Sequence, residues 1–377
     1  MRILVLTHEY PPIGGGGGRV AMDLCKGLAE CGHEIYVLTM HLRGLPHREE
    51  NEGVRVTRLA TLRKEAPRAR LLDMGLYILR GLFRGLDIIR DWRPDVIHVH
   101  FALPAGALAW ALSRLTGVPY VLTAHLGDVP GGVPEKTDLW FKLFYPFTPP
   151  IWRDARQVVA VSEFTRQLAL KHYPVDIQVV PNGVDLGALN PGELLAHVPP
   201  RIVFAGRFME QKNPIAIVKV LAGLPGLIWE CWMLGDGPLK ADVEKAIREH
   251  GLDGRFHLSG WVTPQEVIAR FGESDILFMP SLSEGLPVVG VQALAMGLAV
   301  VASKVGGFVD LVEQGRNGYL YAWDDFDGMK DGLRFLLTDA DALLKFRIES
   351  RKIAGRFALS EVVSCYESIL KRAVSGS

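Results

Sequence analysis

Arg207 and Lys212 stand five residues apart in the run Ala205-Gly206-Arg207-Phe208-Met209-Glu210-Gln211-Lys212-Asn213-Pro214. Two cations on a loop bounded by glycine and proline can converge on one anion, as holding a departing diphosphate requires. A solvated basic loop is the plainer reading of the same residues. Farther along, Met279-Pro280-Ser281-Leu282-Ser283-Glu284-Gly285-Leu286-Pro287-Val288 ends an apolar run, sets a carboxylate in a Ser/Gly/Pro turn and opens a helical pattern. The first N–H groups of such a helix have no helical partner and face an anion. Glu284 can there accept hydrogen bonds from sugar hydroxyls, with Gln292 farther along the same helix. A helix packed on a sheet without any ligand is the alternative.

Pro11-Pro12-Ile13-Gly14-Gly15-Gly16-Gly17-Gly18-Arg19 precedes a helical pattern, and glycines at such a turn let backbone N–H groups approach a phosphate. The run is neither a GxGxxG fingerprint nor a GxxxxGK loop, so it specifies neither a nicotinamide nor ATP. His125, in Thr123-Ala124-His125-Leu126-Gly127-Asp128, can donate to a ligand oxygen or stabilise developing charge, although a lone histidine in a loop is more often structural. His98 and His100 share one face of a strand but bring no third ligand, and Asp325-Phe326-Asp327 and Asp339-Ala340-Asp341 fall at expected helix starts, where aspartate caps. No metal and no other cofactor is expected.

Positioning these loops takes strands that end just before them. Ile3–Leu6, Ile35–Leu38, Val96–Val99, Tyr120–Leu122, Val158–Val161 and Ile177–Val180 are short apolar runs, each followed by turn residues and a helical pattern. The series restarts with Ile202–Phe204, Trp229–Leu234, Phe256–Leu258, Ile276–Met279 and Ala299–Val301. Continuous apolar strands alternating with helices predict an α/β chain of two doubly wound, Rossmann-like domains, facing one another across a cleft, with ligands at the carboxyl ends of strands. Pro181 to Pro200 is the expected linker. The expected domains are 1–185 and 186–355, with a closing helix over 356–377 that packs back on the first; from Thr338 on the chain reads as helical, with apolar spacing at Leu344, Phe346, Ile348 and Ile353 and then at Val362, Val363, Tyr366, Ile369 and Leu370.

The 377 residues carry 42 Lys plus Arg against 42 Asp plus Glu, so no global field draws nucleic acid. Residues 1–180 hold 22 basic and 18 acidic groups, and residues 63–93 hold eight basic against four acidic. The four cysteines, Cys25, Cys31, Cys231 and Cys365, form no CxxC pair and read as reduced core thiols. The amino end has too short an apolar run for a signal peptide, and the uncharged stretch Leu286 to Ser303 is broken by proline and glycine, so a cytoplasmic protein without a transmembrane segment is expected.

Pro-Pro-x-x-Gly-Gly, Gly32-His33-Glu34, the Arg207-to-Lys212 loop, Gly235-Asp236-Gly237-Pro238 and Pro280-Ser281 before Glu284-Gly285, in that order over nearly the whole chain, resemble retaining glycosyltransferases of family 4 with the GT-B fold. The resemblance implies transfer of a sugar from a nucleoside diphosphate sugar to a glycan, lipid-linked or small-molecule acceptor, with retention and without a metal. It implies that Gly15 and Gly16 approach donor phosphate or acceptor, that His125 contacts the donor sugar, and that Arg207 and Lys212 stabilise the diphosphate. Glu284 with the backbone of Gly285, Leu286 and Pro287 would grip the sugar hydroxyls, while Gly206, Asp236, Gly237 and Val288 complete the donor site. The family pattern places a second glutamate where this chain has Gln292, whose amide can still bond a ribose hydroxyl. A nucleotide-sugar epimerase on the same architecture and a nucleotide-sugar-binding protein without catalysis are the rival readings. The apolar and basic residues of 63–93 fit either burial in the first domain or an interfacial helix at the inner face of a membrane, bound to anionic lipid.

Overall fold

Ile3 and Val5 on strand β1 (Arg2–Leu6) join one buried cluster, and Leu4 and Leu6 join another. A strand apolar on both faces belongs inside a parallel sheet covered by helices on either side. The structure, a computed structural model, describes residues 1–66, 69–132 and 145–376. The chain divides into two units, Met1–Gly183 with Leu359–Ser377, and Val184–Ala358.

In the first unit, β1 is followed by β2 (Glu34–Met40), β3 (Arg48–Asn51), β4 (Val54–Leu59), β5 (Val96–His100), β6 (Tyr120–Ala124), β7 (Gln157–Ala160) and β8 (Ile177–Val179). They form one sheet in the order β3-β4-β2-β1-β5-β6-β7-β8, parallel throughout except for the β3/β4 pair. Helices α1 (Gly16–Glu30), α2 (Leu71–Trp92), α3 (Ala107–Thr116), α4 (Pro149–Arg153) and α5 (Glu163–Leu170) accompany it. The β3/β4 hairpin is absent from the expected strands because Arg48–Asn51 has no apolar run. Its signal lies in the turn, where Glu52 at φ 51° and Gly53 at φ 75° make the two-residue connection that matches strand twist.

The second unit carries β9 (Arg201–Ala205), β10 (Glu230–Leu234), β11 (Phe256–Gly260), β12 (Ile276–Met279), β13 (Ala299–Ser303) and β14 (Gly318–Tyr321) in the order β11-β10-β9-β12-β13-β14, all parallel. Its helices are α6 (Pro214–Ala222), α7 (Lys240–Glu249), α8 (Pro264–Gly272), α9 (Val288–Ala295), α10 (Phe308–Leu311), α11 (Phe326–Thr338) and α12 (Ala340–Ala354). Trp229 precedes β10 instead of opening it, and its indole N–H donates to the Leu224 carbonyl. The expected core spacing of α12 is also corrected. Leu343, Phe346, Arg347, Ser350 and Ile353 are buried, whereas Ile348 is exposed and Leu344 half-buried. Arg347 holds a core position because its guanidinium pairs with the buried carboxylate of Asp275 and also donates to the carbonyls of Gly297 and Leu195.

The last helix, α13 (Leu359–Ser375), belongs to the first unit, where Val362, Val363, Tyr366, Ile369 and Leu370 share a cluster with Leu24, Cys25 and Leu28 of α1. Cys25 and Cys231 are buried, but Cys31 and Cys365 are exposed, which corrects the reading of all four as core thiols. Cys31 lies just beyond the end of α1 and Cys365 on the outer face of α13.

Candidate active site

Strand order in the second sheet runs outward from β9 through β10 on one side and from β12 through β13 on the other. The gap where the order reverses, between β9 and β12, is the topological switch point at which loops diverge and ligands bind. Both loops named by the sequence leave from it. Three contacts tie them together: the Leu282 N–H donates to the Gln211 carbonyl at 2.8 Å, Gln211 Nε2 to the Ser283 carbonyl at 3.0 Å, and Lys212 Nζ to Glu284 Oε1 at 2.6 Å. The Lys212 and Glu284 side chains are only 18% and 5% exposed, so the ion pair is largely removed from water. An ammonium has three donors, and with one on Glu284 two remain for a ligand. Arg207 is half-buried, and its guanidinium bonds to no group among the described residues.

Neighbouring loops hold this pair in place. The Gly206 N–H donates to the Leu234 carbonyl and the Phe208 N–H to the Asp236 carbonyl, which ties the β9 loop to the β10 loop. The Asp236 carboxylate accepts from the Gly237 N–H at 2.7 Å and lies 3.4 Å from Lys240 Nζ, so it serves its own turn. Pro287 precedes α9 without a side-chain cap, leaving the N–H groups that begin at Val288 at an uncapped helix end, and Leu286 is buried beneath. Gln292 is half-buried on α9 and its amide has no hydrogen-bond partner among the described residues. Sequence reasoning missed the loop after β13. Gly307 N–H donates to the Gly285 carbonyl at 2.5 Å, and Gly306, at φ 53°, lies so close that an added Cβ would sit 1.7 Å from the Glu284 carbonyl oxygen. The available signal was the Gly-Gly pair just after an apolar strand.

The first unit has its own switch point, between β1 and β5, and it gathers Gly15, Gly16 and His125 with residues the sequence did not single out. Gly15 precedes α1, and its N–H donates to Glu9 Oε2 at 3.1 Å. Behind it the rings of Phe101 and His125 stack at 4.3 Å and His8 meets Phe101 edge-on at 4.6 Å. A side chain at Gly17 would strike the Phe101 ring at 2.6 Å, so the helix can start this close only with glycine there. The His125 and Ala102 N–H groups donate to the two oxygens of Asp128, which joins the loops after β6 and β5. Burial pushes the Asp128 carboxyl up to about 7 against those hydrogen bonds. Burial pushes His8 and His125 down to about 4 and His98 to about 3, and it holds His100 well below its usual value.

His98 and His100 do share a face, their rings 4.5 Å apart, but His98 Nε2 lies 2.9 Å from Thr123 Oγ1 and His100 Nδ1 3.4 Å from His125 Nε2. Among the described residues no group of three or more His, Cys, Asp or Glu is arranged to hold a metal ion. Asp325 and Asp339 accept from the N–H groups of Gly328 and Ala342 and cap α11 and α12.

Two family models match the chain: Glycosyltransferase Family 4 over residues 14–188 and Glycosyl transferases group 1 over residues 191–353. The 2-deoxystreptamine glucosyltransferase of Streptomyces kanamyceticus is 29% identical, the alignment covering 93% of this chain and 98% of that one. Sucrose-phosphate synthase of Thermosynechococcus elongatus shares the fold at a TM-score of 0.85 and 18% identity, covering the whole of both chains. Anabaena HepE, solved with UDP and glucose, shares it at 0.77 and 17% identity, covering 98% of this chain and 99% of that one. With both models lying over two doubly wound units, and each unit presenting its loops at a switch point, the chain belongs to glycosyltransferase family 4 and has the GT-B fold.

Proposed function

We propose that this glycosyltransferase moves a sugar from a UDP- or GDP-sugar to a hydroxyl of a glycan, lipid-linked or small-molecule acceptor, with retention at the anomeric carbon and without a metal. The observation that carries the reading is the largely buried Lys212–Glu284 pair beside the unengaged Arg207 at the switch point of the second unit. Breaking the bond between the anomeric carbon and the diphosphate leaves negative charge on phosphate oxygen. Arg207, the two remaining donors of Lys212 and the N–H groups at the start of α9 are fixed charges and dipoles of the sign that charge needs. Glu284, held by Lys212, is a positioner: it and the backbone of Gly285, Leu286 and Pro287 take the hydroxyls of the donor sugar. Gly206, Asp236, Gly237 and Val288 shape the diphosphate and nucleoside end, and Gln292 bonds the ribose. In the first unit Gly15 and Gly16 approach the phosphate or the acceptor, and His125, neutral at physiological pH, donates to the donor sugar.

Retention then needs no protein nucleophile. The acceptor hydroxyl attacks on the face the diphosphate leaves, its proton passes to a phosphate oxygen, and the new glycosidic bond keeps the donor's configuration. The presence of UDP and glucose in Anabaena HepE supports UDP-glucose as the first donor to try, and the name of the Streptomyces relative supports a small polyhydroxylated acceptor.

A thermal-shift panel of UDP- and GDP-sugars tests the donor, since a ligand that binds only the folded state raises the melting temperature as its concentration exceeds Kd. The donor that shifts the protein is then incubated alone and with acceptors in excess EDTA. The expected outcome is nucleoside diphosphate release that depends on acceptor, an unchanged rate in EDTA, and an NMR-assigned product with the donor's anomeric configuration. Conversion of the sugar without acceptor would establish an epimerase, binding without turnover a binding protein, and a strict divalent-metal requirement would refute the charge assignment to Arg207 and Lys212.

A further inference from the structure

Tyr77, Gly81, Gly85, Ile88 and Ile89 of α2 face the core of the first unit, and α3 lies so close that added Cβ atoms at Gly81 and Gly85 would come within 2.5 Å of Leu108 and 2.6 Å of Leu112. Burial of that side is thus accounted for by packing. The opposite side is apolar as well. Leu72, Leu79 and Phe83 are 71%, 55% and 65% exposed, and at 100° per residue they fall within one narrow stripe together with the half-buried Leu76. A surface helix ordinarily has one apolar face, turned to its own protein, and charged residues on the other. Here one face is covered and the other is open.

Charge beside the stripe says what covers it. Residues 63–93 hold eight basic and four acidic groups. Of those four acids, Asp73 is buried and accepts from the Arg70 N–H, Asp87 and Asp91 are both engaged by Arg90, and Glu65 is exposed beside Lys64. Lys64, Arg70, Arg80 and Arg93 are exposed. A second copy of this chain meeting the stripe would set these cations against their own counterparts, which disfavours self-pairing. No helix among the described residues is long and apolar enough to cross a membrane, so this one would lie on the surface of a bilayer instead of spanning it.

We propose that the outward face of α2 docks on an anionic lipid surface, with Leu72, Leu79 and Phe83 entering the boundary between headgroups and acyl chains and the surrounding arginines and Lys64 meeting lipid phosphates. The contact is independent of the reaction proposed above, because vesicle binding is read without turnover. It gives a reason for an apolar helix face in water: the enzyme works beside a membrane, where a lipid-linked acceptor would be concentrated.

The full chain is sedimented with vesicles of phosphatidylcholine containing phosphatidylglycerol, and with vesicles of phosphatidylcholine alone, at low and high salt. Binding is expected to the anionic vesicles at low salt and to fall as salt rises past about 0.1 M, where the screening length is about 10 Å. L79S with F83S replaces two exposed side chains, so melting temperature and circular dichroism should match the wild type while the partition coefficient drops tenfold or more. Failure of the wild type to sediment at low salt, equal binding to uncharged vesicles at all salt concentrations, or unchanged binding by the double variant would overturn the proposal. So would a dimer in solution that dissociates in the double variant without any lipid binding, which would assign the face to a second copy.

Discussion

Lys212 and Glu284 are 72 residues apart in sequence and 2.6 Å apart in the fold, so neither can be altered alone without changing what the other experiences. Lys212→Ala removes one of the two cations of the β9 loop and leaves the 5%-exposed Glu284 carboxylate without its partner. Breaking a buried pair from one side costs about 3–5 kcal/mol of stability, whereas replacing both members by neutral groups of similar size is often close to neutral. K212A is therefore expected to lose both stability and about a hundredfold or more in kcat, and K212M with E284Q to regain most of the stability but not the activity. R207A, with no bond to break, should lose a similar factor in kcat at unchanged stability. Urea unfolding and steady-state rates on the three proteins separate these effects, and near-normal turnover in R207A and in the double variant would remove both cations from the leaving-group role. The sequence could nominate these residues because each follows an apolar strand on a loop rich in glycine and proline. It could not show that they meet, since pairing across a sheet depends on strand order. Arg347 is the converse case: a charge among apolar neighbours at helical spacing reads as an exposed residue until Asp275 is seen beneath it.

Elements fail to be legible where their cue is something other than hydrophobic periodicity. The β3/β4 hairpin was hidden because its outer strand is charged, as an edge strand exposed to solvent should be, and its turn signal is only Glu52-Gly53. Apolar content alone could not tell how α2 divides between core and surface, because that depends on where α3 lies. The loop after β13 has a functional consequence of the same kind. Gly306 and Gly307 pack against the backbone of Glu284 and Gly285, so they set the position of the carboxylate. In G306A the new methyl meets a carbonyl oxygen instead of a flexible side-chain end, and the residue must hold a φ of 53° that a Cβ disfavours. The Glu284 turn must then move by tenths of an ångström or more. We expect kcat/KM to fall at least about tenfold, as misplacement of a substrate-positioning group does, in a protein whose circular dichroism stays native at 25 °C. Unaltered kcat/KM in a folded G306A would show that this crossing of loops is packing alone.

The two units differ in how they should respond to acid. His8, His98, His100 and His125 are buried in the first unit, and burial depresses all four, to about 4, about 3 or lower than usual, from an unfolded value near 6.5. A histidine whose folded pKa is depressed contributes stability that is fully present above its unfolded pKa and is lost as pH falls toward the folded one. Asp128 acts in the opposite sense: raised from 3.8 to about 7, it contributes most at low pH, and that contribution fades as pH rises through 7. Between pH 6.5 and about 4 the unfolded chain therefore takes up about three more protons than the folded first unit, four histidines less one aspartate, at about 1.4 kcal/mol per proton per pH unit. The second unit has no counterpart, since His197 is half-buried and His250 and His257 are exposed. With separate cores the units need not unfold together. Thermal unfolding at pH 7.5 and at pH 5 should therefore show one transition moving down sharply with acid and another moving little, and hydrogen exchange followed by mass spectrometry should assign the mobile transition to peptides of the first unit, Met1–Gly183 and Leu359–Ser377. Replacing His98 and His100 by glutamine takes two of the titrating groups away, leaving about one net proton, and should shrink the shift between the two pH values by roughly two thirds, whatever it does to stability at pH 7.5. Equal shifts in both units, or a shift unaffected by the double replacement, would show that the acid sensitivity lies outside the histidine cluster.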